Sequence, residues 1–80
     1  MNDIELTLQK KANFFKDNDT AVHVVKKNGW FHNGPIISIE YDFLILVDEV
    51  DGSMPIFFSE IVDIEKREVK RKKKDEMSKV

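Results

Sequence analysis

The chain contains no cysteine, so it can form neither a disulfide framework nor a thiolate metal centre. Glycine occurs three times and proline twice in 80 residues, which excludes collagenous and low-complexity architectures. No apolar run approaches the ~18 residues of a membrane-spanning helix. The first residues, MNDIELTLQKK, carry acids where a secretory signal needs a basic patch and then an apolar stretch. There is no nucleophile motif, no phosphate-cradling glycine loop and no Ser-His-Asp order, so an enzyme is not expected. These absences predict a small soluble protein of the cell interior, cytoplasmic and without a membrane partner. The lack of cysteine fits a reducing compartment.

Hydrophobic residues make up 41% of the chain and charged residues 35%, the composition of one globular domain. A domain this short buries only about 60% of the surface its unfolded chain exposes. Self-association is then a common route to stability. The net charge of −2 conceals an asymmetry. Residues 1–64 carry eleven acids against five bases, a sum of −6. Residues 65–80 carry eight bases against four acids, a sum of +4. The body should repel nucleic acid and the tail should attract it.

Asn2 or Asp3 can cap a helix by accepting an orphan backbone N–H. Ile4, Leu8, Ala12 and Phe15 then recur at helical spacing, predicting one helix over about 3–16. After the polar break Asp17–Thr20 the period changes. Residues 21–26 read as a strand. Asn28-Gly29 follows as a hairpin signal, since both residue types tolerate positive φ. Residues 30–40 read as a longer second strand bent at Gly34-Pro35. The apolar run Phe43–Val47 predicts a third strand, covered on both faces or by a neighbour. Residues 54–58 and 61–64 predict a fourth and a fifth. The barrel is expected over about 21–65. The segment from Glu65 onward has too few apolar residues to pack and reads as a frayed helix or a basic flexible tail, 66–80. The fold class is mainly β: an N-terminal helix plus a five-stranded, strongly bent antiparallel small barrel.

The helix, the five strands, Asn28-Gly29, Gly34, Ile36, Ile39 and the apolar run from Phe43 resemble the Sm-like proteins (Sm, Lsm and bacterial Hfq) over residues 4–65. Gly29 and Gly34 keep the spacing of that family's first motif. Ile36 and Ile39 fill its apolar positions, and Glu40 stands at its Asp position. Residues 56–61 lie where the Hfq form has its second motif. The resemblance implies an SH3-like small barrel and a homo-oligomeric ring, most often of six or seven subunits. The implied interface is Ile56, Phe57, Phe58, Ile61, Val62 and Ile64. It also implies binding of single-stranded RNA at the ring pore. Here the chain departs from the family's pattern: Asp42 stands at the stacking position, Leu44 at the base-reading position, and Phe58-Ser59 replaces a Lys-His pair.

The RNA-binding candidates are accordingly Tyr41, Asp42, Phe58 and Ser59, with Lys66, Arg67, Lys70, Arg71, Lys72, Lys73 and Lys74 as phosphate contacts. Stacking on an aromatic ring tolerates any base, and phosphate contacts add affinity without sequence readout. The plainer expectation is that Phe58 is core or interface and that the lysine run is a solvated tail. Alternation places Trp30 and His32 on one strand face and Phe31 on the other. Trp30 is expected to pack on the helix or on a neighbouring subunit, with ligand stacking as the alternative. His23 and His32 lack the partners of a metal site, so no metal or cofactor is expected. Asp48, Glu49 and Asp51 read as a solvated turn. Two further readings share the barrel: an oligomeric protein-interaction module that has lost RNA binding, and a monomeric adaptor gripping a peptide near Trp30 and Tyr41.

Overall fold

The computed structural model describes residues 2–68. Helix α1 (Asp3–Asp17) begins where Asn2 accepts the Glu5 backbone N–H on Oδ1 at 2.8 Å. Asn2, not Asp3, is therefore the cap, and it satisfies one of the helix's orphan donors. Leu8 and Ala12 face the core, and Phe15 packs partly against it. Ile4 breaks the expected stripe, since it is 69% exposed one turn beyond the barrel's cover. Burying Leu8 contributes roughly 1.5–3 kcal/mol, which anchors a helix too short to persist alone. The helix ends where Asn18 donates its side-chain amide to the Phe14 carbonyl at 2.7 Å and Asp19 takes a left-handed φ of 52°.

Six strands follow: β1 (Val22–Lys26), β2 (Phe31–Gly34), β3 (Ile36–Ile39), β4 (Phe43–Asp48), β5 (Gly52–Phe57) and β6 (Ile61–Lys66). They form two antiparallel three-stranded sheets, ordered β2-β1-β6 and β3-β4-β5. The long second strand of the sequence reading is thus two strands, divided at Pro35 and shared between the sheets. Pro35 has no N–H to give a ladder, but its carbonyl accepts the Val47 N–H at 3.0 Å. The Asn33 carbonyl accepts the Glu49 N–H at 2.8 Å. These two bonds lead the strand path across the bend, from β6 through β1, β2, β3 and β4 to β5. Among the described residues the barrel does not close, because β5 and β6 each end a sheet.

The hairpin at Asn28-Gly29 also differs from its expected form. Only Gly29 has positive φ, at 92°. Lys26 donates its N–H to the Trp30 carbonyl at 2.8 Å, so three residues form the loop, with glycine at its left-handed position. Val22, Val24, Ile36, Leu44, Leu46, Ile56, Phe58, Ile61 and Ile64 fill the space between the sheets, and α1 lies over them. In β4 the apolar run alternates: Leu44 and Leu46 are fully buried, while Phe43, Ile45 and Val47 are half-buried on the outer face. β6 runs to Lys66, and Arg67 donates its N–H to the Ala21 carbonyl at 2.9 Å. Strand β6 therefore extends through Lys66, the first residue of the expected tail. No helix among the described residues is long and apolar enough to cross a membrane.

Candidate functional site

The sequence-derived RNA candidates separate on the fold. Tyr41 and Asp42 occupy the turn between β3 and β4, both exposed, Tyr41 at 74%. The Gln9 side-chain amide of α1 reaches the Glu40 and Tyr41 carbonyls, each at 3.3 Å, and so fixes that turn against the helix. Ser59 is exposed in the single 3₁₀ turn Phe58–Glu60. Phe58 is 1% exposed. Its ring belongs to the core and is closed to a base, because the 3₁₀ turn directs it beneath α1. Lys66 is exposed and Arg67 half-buried. Lys70, Arg71, Lys72, Lys73 and Lys74 lie outside the described residues.

The expected interface set divides in the same way. Ile56, Ile61 and Ile64 are buried within the chain with Phe58, so their side chains serve its own core. Phe57 and Val62 point outward, 42% and 55% exposed. Phe57 packs on Phe43 across β4 and β5, ring centroids 5.4 Å apart. What β5 and β6 leave available is backbone. Phe58 donates its N–H to the Asp42 carbonyl. Even-numbered positions of β5 therefore turn their N–H toward β4, and odd ones turn theirs to the open edge. Pro55 falls in the outward set, where its missing N–H costs the existing ladder nothing.

A second constellation was not legible in the sequence. Asp48 is buried, not solvated. Its carboxylate accepts the backbone N–H groups of Asp51 (2.8 Å), Val50 (2.9 Å) and Asn33 (3.0 Å). The Asp51 and Val50 donors above all lower its pKa from 3.8 to about 2, against the opposing effect of burial. The carboxylate holds the β4–β5 turn closed and ties it to β2. His32 lies beneath, 7% exposed, with Nδ1 3.3 Å from Asp48 Oδ1. Its Nε2 is buried with no hydrogen-bond partner among the described residues. His32 thus points inward, while Phe31 and Trp30 are 55% and 67% exposed. The expected pairing of Trp30 with His32 fails because Trp30 precedes β2 and escapes its alternation. A donor atom each from His32, Asp48 and Asp51 fall within 4.8 Å of one another, but Asp48 already accepts three backbone bonds. His23 is placed differently, its Nδ1 2.6 Å from Asn33 Oδ1 and its ring against Phe31.

Residues 28–33 and 48–51 line a groove of ≈ 420 Å³. Trp30, Phe31 and the acidic turn Asp48–Asp51 are all among its lining residues. At its rim Glu49 binds Arg67 through two bonds, Nη2 to Oε1 at 2.9 Å and Nε to Oε2 at 3.0 Å. The guanidinium lowers the pKa of Glu49, and the carboxylate raises that of Arg67. A second ion pair, Lys11 to Asp63 at 2.9 Å, joins α1 to β6 and lowers the Asp63 pKa.

No family model and no curated protein matches the chain. Among solved structures it is similar to a crystal structure of the pleiotropic translational regulator Hfq. The two share 25% identity and superpose with a TM-score of 0.63, over 70% of this chain and 92% of that one. The similarity lies in the fold, an Sm-like arrangement of one N-terminal helix and antiparallel strands in two sheets.

Proposed function

From the premise of an Sm-like fold, we propose that the protein assembles with copies of itself into a closed ring and binds single-stranded RNA on it. The observation that carries the reading is the pair of open edges. Among the described residues β5 and β6 end their sheets, and in each six-residue strand the alternate backbone groups face an open edge. Open edges invite pairing, and β5 of one subunit against β6 of the next satisfies both edges around a ring. Phe57 and Val62 supply apolar area beside the joint.

RNA is supported by the similarity to a translational regulator, by exposed Tyr41 as a stacking surface, and by the basic run Lys70–Lys74 as a source of phosphate contacts. The pocket differs from the one the family resemblance implied, since Phe58 is core and Asp42 is exposed acid. Tyr41, Ser59 and Lys66 are what the turn faces offer. A second reading, an oligomeric module without RNA, draws on Asp42 and on the charge of −6 over residues 1–64.

Native mass spectrometry of the full chain tests assembly. Binding of U-rich and A-rich single strands at low salt tests the ligand. A single closed oligomer that binds either strand fits the proposal. A closed oligomer that binds neither transfers the protein to the second reading. A monomer removes the ring.

A further inference from the structure

We propose that the groove between residues 28–33 and 48–51 is a docking site for the chain's own basic segment, Lys70–Lys74. The groove combines two features that suit a lysine or arginine side chain. Trp30 exposes an indole face, the strongest aromatic partner for a cation. Asp51 and Glu49 also line the groove, the Glu49 carboxylate already bound by Arg67. His32, more than nine-tenths buried, forms part of the lining. Its Nδ1 faces the Asp48 carboxylate, and its buried Nε2 has no hydrogen-bond partner among the described residues.

The choice of occupant rests on connectivity and charge. Arg67 already holds Glu49 at the groove rim in a two-bond ion pair, and its backbone is tied to Ala21. Lys70 follows three residues later. An extended chain advances at most about 3.3–3.6 Å per residue, so Lys70 stays within about 11 Å of Arg67. The tail is thus delivered to the acidic turn at high effective concentration. The chain from 65 onward carries +4 against −6 for the rest. A tail held in this groove is withdrawn from any other anionic partner, so the groove would act as an internal competitor for the basic run.

Trp30 is the only tryptophan, so its fluorescence reports on the groove without labelling. The experiment is acrylamide quenching of the full chain at low salt; a neutral quencher is used because an ionic one would respond to tail charge alone. The comparison is a variant with Lys70→Gln, Arg71→Gln, Lys72→Gln, Lys73→Gln and Lys74→Gln together. Docking predicts that the variant's quenching constant exceeds the wild type's by at least about twofold. Glu49→Gln with Asp51→Asn should do the same. At 1 M salt, where the screening length is about 3 Å, wild type should rise to the variant's value and the variant should not change. Equal quenching of wild type and tail variant at low salt overturns the proposal. Protection that persists on dilution supports docking within one chain. Protection lost on dilution overturns it and assigns the groove to the tail of another copy.

Discussion

A Cβ added to Gly34 would strike the carbonyl group of Val47, with the carbonyl carbon only 2.8 Å away. The strand turns from one sheet into the other at this glycine, with φ at +157°. The Val47 backbone passes close against the bend and is bonded through its N–H to the Pro35 carbonyl. Gly34→Ala should therefore cost at least about 2 kcal/mol, because backbone rather than a flexible side chain must yield. Gly29→Ala meets open space and only a strained φ, so it should cost about 1 kcal/mol. Urea unfolding of the two variants checks the ranking, and equal losses would contradict it.

The Asp48 clamp predicts an acid transition. Its folded pKa is depressed from 3.8 to about 2. A depressed carboxyl stabilises the fold fully above its unfolded value and loses that contribution as pH falls toward the folded value. Stability should fall between about pH 4 and pH 2. Glu49 and Asp63, also lowered, act in the same direction. Asp48→Asn should flatten this part of the profile and lower stability at neutral pH, because a carboxylate holding three backbone N–H groups is lost. Thermal melting across that range measures both.

Phe57 and Phe58 are neighbours with separate roles. Phe58→Ala opens the core and should cost about 3–5 kcal/mol. Phe57→Asp changes an outward side chain at the open edge of β5. It should leave circular dichroism intact and shift the native mass toward smaller species. A variant that keeps its native mass would place the subunit joint elsewhere.

The basic run predicts a salt dependence. Each phosphate neutralised on a single strand contributes about 0.7 to the slope of log affinity against log salt. Glutamine at residues 70–74 should then flatten that slope by up to about 3.5, equally for U-rich and A-rich strands. A loss confined to one sequence would mean that the tail reads bases. Filter binding at several salt concentrations distinguishes the two.

Lys11 and Asp63 show how little a surface ion pair contributes here. Both side chains are 40% exposed, so solvent screens their attraction. Lys11→Met should cost less than about 1 kcal/mol, well below the Phe58 change. A larger loss in urea unfolding would show that the pair orients α1 rather than merely touching it.

Local chemistry in the sequence determined the elements. An amide residue before a helical period placed the start of α1, glycine and proline placed the bend, and alternation placed the strands. The charge asymmetry was also plain from composition. These features depend on neighbours a few residues apart, and the chain order contains them. Tertiary structure decided which side of each element meets the core. His32 points in and Trp30 stays out because β2 begins only at Phe31. Phe58 is sealed beneath α1 because a 3₁₀ turn, not a strand, carries it. Asp48 is a clamp because residues fifteen apart, Asn33 and itself, are brought together by the bend. Periodicity says which residues share a face, but the face chosen depends on register and on contacts between distant segments.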